Sequence, residues 1–171
     1  MFRGAQGQDF GLLSLEGSSE PLLATEFRER NPALSPDGRW LAYESNASGQ
    51  NEIYVRPFPN IEDGQWLIST DGGTRPLWGA DGRELFYLSR GAELMAVRVQ
   101  TEPSFAPGNP EAILEGRKLT VETGPGRAYD ISPDGERFLV VQELVGSTSA
   151  TELILVQNWF QELERLVPTE N

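Results

Sequence analysis

The sequence predicts an all-β fold, a partial β-propeller of about three four-stranded antiparallel blades plus half a blade, closed off by a short C-terminal helix. Three observations predict it. An Asp-Gly turn recurs at Asp37, Asp81 and Asp134, and each turn is followed by a short apolar strand-like run. The first spacing, 44 residues, is that of one four-stranded blade of about 40–45 residues. Glycine and proline, 18 and 12 of 171 residues, supply turn chemistry throughout.

Each turn has a physical reason to form. In Ser35-Pro36-Asp37-Gly38 the proline presets φ at the first turn position, Asp favours the second, and Gly takes the left-handed conformation that a short bulged hairpin needs. Ser132-Pro133-Asp134-Gly135 repeats this arrangement, while Gly79-Ala80-Asp81-Gly82 keeps the Asp-Gly pair and loses the preset φ. The second spacing is 53 residues, and the Pro/Gly-rich stretch from Thr101 to Pro110 is the natural place for the excess.

In chain order, Phe10–Leu15 and Pro21–Thr25 read as the last two strands of an earlier blade, a half blade over 10–25. A blade over 31–70 follows, with strands at 39–45, 52–58 and 65–70 after its turn. The next, over 75–115, has strands at 84–89, 93–99 and 111–114, and the last, over 127–157, has strands at 137–143 and 152–157. Many short strands with turn signals between them describe a radial all-β repeat and not a parallel sheet. At the end, Asn158 caps a helix over 158–167 whose Phe160, Leu163 and Val167 share one face, and Pro168 stops it. The whole, 1–171, reads as a single partial propeller domain. Propellers close with about four to eight blades, so this count leaves the ring open. Two expectations follow: the chain is the C-terminal part of a larger protein, or copies self-associate through open blade edges.

Composition excludes several functions. The formal net charge is −12, from 14 Lys plus Arg against 26 Asp plus Glu; that field repels a phosphate backbone, so nucleic acid is not an expected partner. No apolar run reaches the roughly 20 residues of a membrane span, and Met1–Asp9 lacks the basic-then-apolar order of a signal peptide. Histidine and cysteine are absent. Ser-His-Asp and Cys-His triads, imidazole bases, thiolates, disulfides and the usual zinc ligands are therefore excluded. Glu62 with Asp63, or Asp71, could supply a carboxylate pair, but all sit in turn-like sequence. Asp37, Asp81 and Asp134 lack the ligand spacing of a calcium loop, and the turn accounts for each of them. No catalytic residue, metal site or cofactor is expected.

Trp40, Trp66 and Trp78, with Tyr43, Tyr54, Tyr87 and Tyr129, fall mostly at inward strand positions and read as packing between sheets. A ligand or partner site belongs where chain segments from successive blades converge, at one mouth of the ring. The residues entering each first strand are Arg28, Arg30 and Asn31, then Thr74 and Arg75, then Arg127, and basic side chains recur among them against an acidic background. Arg30, Asn31, Arg75 and Arg127 are the candidate contacts for a protein or small-molecule partner, because guanidinium forks suit carboxylates.

The Ser-Pro-Asp-Gly turn, the Leu41-Ala42-Tyr43-Glu44-Ser45 strand and Asn51-Glu52-Ile53-Tyr54-Val55 together resemble the TolB-like, WD-like propeller repeats of bacteria over roughly residues 10–157. Arg56-Pro57-Phe58-Pro59 and the ending Asn158-Trp159-Phe160-Gln161-Glu162-Leu163 are similar to the C-terminal propeller of bacterial proteins with an upstream eukaryotic-like serine/threonine kinase domain. None of the kinase motifs is in this chain. The resemblance implies a non-enzymatic module for protein interaction or ligand sensing, placed outside the cytoplasm, with any targeting signal or membrane helix upstream. The alternative it implies is an accessory propeller of an enzyme, a serine/threonine kinase or a prolyl-oligopeptidase-type peptidase, whose catalytic domain lies on another segment.

Overall fold

The computed structural model describes residues 9–113, 119 and 129–141. The expected C-terminal helix at 158–167, the second half of the last blade and Arg127 lie outside the described residues. Strands β1 (Phe10–Leu13) and β2 (Ser19–Leu23) form an antiparallel hairpin. A four-stranded antiparallel sheet follows, in sequential order β3 (Glu29–Leu34), β4 (Trp40–Ser45), β5 (Glu52–Pro57) and β6 (Trp66–Leu67). The next sheet is β7 (Gly73–Trp78), β8 (Glu84–Ser89) and β9 (Leu94–Gln100), with β10 (Ala106–Pro107) and β11 (Glu111–Ala112) both paired to β9. A last hairpin joins β12 (Tyr129–Ile131) and β13 (Phe138–Val140). The architecture is an all-β partial propeller.

The three Asp-Gly turns have one geometry. Gly38, Gly82 and Gly135 adopt φ of 70°, 71° and 75°, the left-handed region where a side chain is strained. Each donates its N–H back to the residue three positions earlier, at 2.9, 3.0 and 2.8 Å. Differences from expectation lie in the outer strands. The strand expected at 65–70 is confined to Trp66–Leu67, because the Ser69 hydroxyl, not a backbone carbonyl, accepts the Ile53 N–H at 2.8 Å. The strand expected at 111–114 is seen at Glu111–Ala112, and an additional short strand at Ala106–Pro107 precedes it on the same neighbour. Gly108-Asn109-Pro110 separates the two, and Pro110 has no N–H to give a ladder.

Period-two alternation decides what each sheet buries. In β8, Leu85 and Tyr87 face one core with Ala42, Ile53, Val55 and Trp78, while Phe86 and Leu88 face another with Leu77, Leu94 and Tyr129. In β4, Ala42 joins the first core, and Leu41 and Tyr43 turn toward Leu23, Tyr54 and Ile61. A blade is thus apolar on both faces, one for each neighbour, which is why β4 and β8 read as continuous apolar runs. The extra residues of the second blade carry Phe105 into the first core, where its ring lies 4.8 Å from Trp40 and 5.2 Å from Trp66. Leu85 is fully buried between blades. Leu85→Ala should lower unfolding free energy by about 2–5 kcal/mol, read from urea unfolding; a loss below about 1 kcal/mol would show that the blades do not share a packed core.

Candidate functional site

The start of the inner strands is a joint between blades. Asn31 and Arg75 occupy the same repeat position, each before a proline, and both adopt positive φ, 49° and 56°. Each sits at a register shift, between Arg30 and Ala33 in β3 and between Thr74 and Leu77 in β7, as a bulge that bends the strand. Glu44, 3% exposed, holds both: its Oε1 accepts the Asn31 side-chain amide at 2.5 Å and the Arg75 backbone N–H. Further bonds join the same two blades and the next pair. Trp78 Nε1 donates to the Ala33 carbonyl at 3.0 Å, and the Tyr129 hydroxyl donates to the Arg75 carbonyl at 2.7 Å.

The structure therefore brings Asn31 and Arg75 to a common carboxylate. Arg75 is 9% exposed, Asn31 is half-buried and Arg30 is exposed; Arg127 is outside the described residues. Sequence reasoning overlooked Glu44. Its signal was a charged residue at the end of an apolar strand, Leu41-Ala42-Tyr43-Glu44, where alternation offers no solvent-facing position. Two further buried carboxylates act alongside. Glu52 accepts from the Ser69 hydroxyl, from the Gly72 N–H at 2.9 Å and from Gln50 Nε2 at 2.6 Å. Glu29 accepts the Thr25 hydroxyl at 2.7 Å through Oε1, while its buried Oε2 has no hydrogen-bond partner among the described residues.

The opposite end of the blades, where the Asp-Gly turns lie, is open. A groove of about 670 Å³ is lined by Asp81, Arg83, Glu84, Arg98 and the segment Val99–Glu102. A second hollow of about 460 Å³ continues it across to Pro36, Asp37 and Arg39 of the preceding blade. Arg39 binds Asp37 at 2.8 Å and crosses to Glu102 at 3.1 Å. The Ser35 hydroxyl first, and Arg39 with it, hold the Asp37 carboxyl down to about 2. Among the described residues no group of three or more His, Cys, Asp or Glu side chains is placed to hold a metal.

Comparison with known proteins agrees with this architecture. The crystal structure of TolB from Acinetobacter baumannii superposes with a TM-score of 0.55 at 20% identity, over 81% of this chain and 33% of that one. The fold is that of a TolB-like β-propeller. No family model matches the sequence. A dipeptidyl aminopeptidase BI from Pseudoxanthomonas mexicana is 30% identical over 124 residues, 70% of this chain and 16% of its own length. An uncharacterized protein of Agrobacterium fabrum is 27% identical over 148 residues, 81% of this chain and 49% of its own. The chain thus spans half or less of the length of these relatives. In TolB-like terms, β3 and β7 are inner strands, and the joint and the groove lie at opposite ends of the blades.

Glu29 generates a pH prediction. Burial raises its pKa above the ordinary 4.5; the Thr25 bond opposes the rise and the Asp9 charge adds to it. The folded state thus binds this proton more tightly than the unfolded chain, so the contribution is full below about pH 4.5 and is lost as pH rises through the folded value. Glu29→Gln should flatten that limb of the stability curve, followed by urea midpoints from about pH 4 to 7. An unchanged slope would contradict the assignment.

Proposed function

We propose that this TolB-like propeller is a non-enzymatic module that binds a protein or small-molecule partner. The observation that carries the reading is the contrast between its two ends. At the joint, Glu44 and Glu52 are saturated by bonds that hold strands and blades together. The turn end instead presents an open, charged groove of about 670 Å³, within the size range of ligand sites, about 300–1,000 Å³. Arg30, exposed beside the joint, is the candidate contact at the other mouth, together with Asn31 and Arg75, while Arg127 is a candidate from its sequence position alone. The extracytoplasmic placement implied by the repeat resemblance belongs to the same proposal.

A specific observation favours a second reading. The similarity to a dipeptidyl aminopeptidase covers 70% of this chain, which supports an accessory propeller of a peptidase over one of a kinase. In that case the chemistry lies on another segment of a longer protein, and this part shapes access to it. Reading the coding sequence on either side decides between the two: an adjoining hydrolase segment establishes the accessory role.

Both readings place catalysis elsewhere. The purified chain, incubated with chromogenic dipeptide anilides, should release no product above the buffer rate. Turnover that scales with protein and persists through repurification would overturn the non-enzymatic assignment.

A further inference from the structure

The three turns of the repeat are alike in backbone but not in side chains, and the difference falls at the groove. In the first, the Ser35 hydroxyl donates to Asp37 Oδ1 at 2.6 Å and Arg39 Nε to Oδ2 at 2.8 Å. In the third, the Ser132 hydroxyl donates to Asp134, and Arg137 Nη2 donates to Asp134 Oδ2 at 3.0 Å. Each turn is a closed clamp of hydroxyl, carboxylate and guanidinium, and both carboxyls are held below their ordinary pKa, by the serine bond first. In the middle turn the serine is Gly79. Among the described residues Asp81 accepts only the Arg83 backbone N–H, at 3.0 Å, and it has no ion pair with the Arg83 guanidinium.

The open clamp leaves charge in the groove. Asp81, Arg83, Glu84 and Arg98 all line it, and none of the four has a side-chain ion pair among the described residues. Glu102, which also lines it, is held by Arg39 of the preceding blade. Among the described residues the groove therefore offers two guanidinium groups and two carboxylates without a side-chain ion pair, Glu84 and Arg98 standing opposite each other across β8 and β9. We propose that it binds an extended peptide segment of mixed charge from a protein partner, acidic side chains on Arg83 and Arg98 and basic ones on Asp81 and Glu84. This rests on the interaction-module reading above.

Charge decides among ligand classes. With a net charge of −12, a purely acidic peptide is repelled at long range. A purely basic one meets Asp81 and Glu84 but is set against two arginines. A segment carrying both signs complements all four groups, and guanidinium forks favour carboxylates in paired geometry.

The repeat itself supplies the test. Gly79→Ser places the missing hydroxyl where the other turns have it. A Cβ at Gly79 meets no atom closer than 3.5 Å, so the variant keeps its packing and closes the clamp on Asp81. The probe is a fluorescein-labelled peptide of about a dozen residues alternating Glu and Lys, followed by anisotropy at about 0.02 M salt, where screening is weak. The wild-type chain should bind it more tightly than all-Glu, all-Lys or neutral peptides. Gly79→Ser should weaken binding several-fold, and the double variant Arg83→Ser/Arg98→Ser at least about tenfold. Arg137→Ser, at a closed clamp away from the groove, should leave it unchanged, with thermal unfolding showing that each variant is folded. No binding of the mixed peptide, no preference for it, or full affinity in the double variant overturns the site. Mass spectrometry of the recovered peptide separates the two claims: cleaved peptide sinks the non-enzymatic reading, whereas intact, unbound peptide sinks the groove assignment alone.

Discussion

The buried carboxylate of Glu44 is the constraint on which the arrangement of the blades depends. It joins the inner strand of one blade, through the Asn31 amide, to the inner strand of the next, through the Arg75 N–H. An unpaired charge at 3% exposure costs several kcal/mol, so the carboxylate is tolerated only while both donors face it. The donors in turn are presented by a backbone that a side chain resists: φ of 49° at Asn31 and 56° at Arg75, each costing about 1–3 kcal/mol. Carboxylate and bulges stabilise each other through these two hydrogen bonds. The apolar cores then follow, because the joint sets which face of β4 meets which face of β8.

This arrangement divides the labour between the two ends of a blade. At the start of the inner strands, polar groups are drawn inward and hydrogen-bonded by neighbours, as at Glu44 and Glu52, while one oxygen of Glu29 is buried without a partner among the described residues. At the Asp-Gly turns they remain near solvent, and a repeat can change there without disturbing the joint. The middle turn shows the change. Replacing a serine by Gly79 keeps the hairpin bonds, with Gly79 N–H still on the Glu84 carbonyl at 2.8 Å, and removes the hydroxyl that closes the clamp. Blades that share one turn backbone thus differ at their turn ends by one interaction lost in one copy.

The turns, the blade period and the strands beside them were legible because each rests on local chemistry: Asp-Gly pairs fix hairpins, and alternation fixes faces. The buried aromatics Tyr43, Tyr54, Tyr87 and Trp78 were legible for the same reason. The joint was not. Asn31 and Arg75 were singled out by charge and position, yet nothing local announces that a residue before proline adopts positive φ, or that Glu44, 31 residues before Arg75, supplies its acceptor. The middle turn was legible only as one that loses the preset φ of proline, at Ala80. The consequence of Gly79, the release of Arg83 beside Arg98 on β9, needs three dimensions. The outer strands failed locally as well, since Ser69 replaces a backbone partner by a hydroxyl that strand patterning does not register.

Amide hydrogen exchange of Arg75 tests the central claim most directly. If Glu44 locks the blades, the Arg75 N–H is released only when the structure opens globally, and it should be protected to the same free energy as the fully buried amides of Leu85 and Val97. Exchange of Arg75 at the rate of an exposed turn amide, with Leu85 and Val97 still protected, would show that the blades hold together without this joint and would contradict the account.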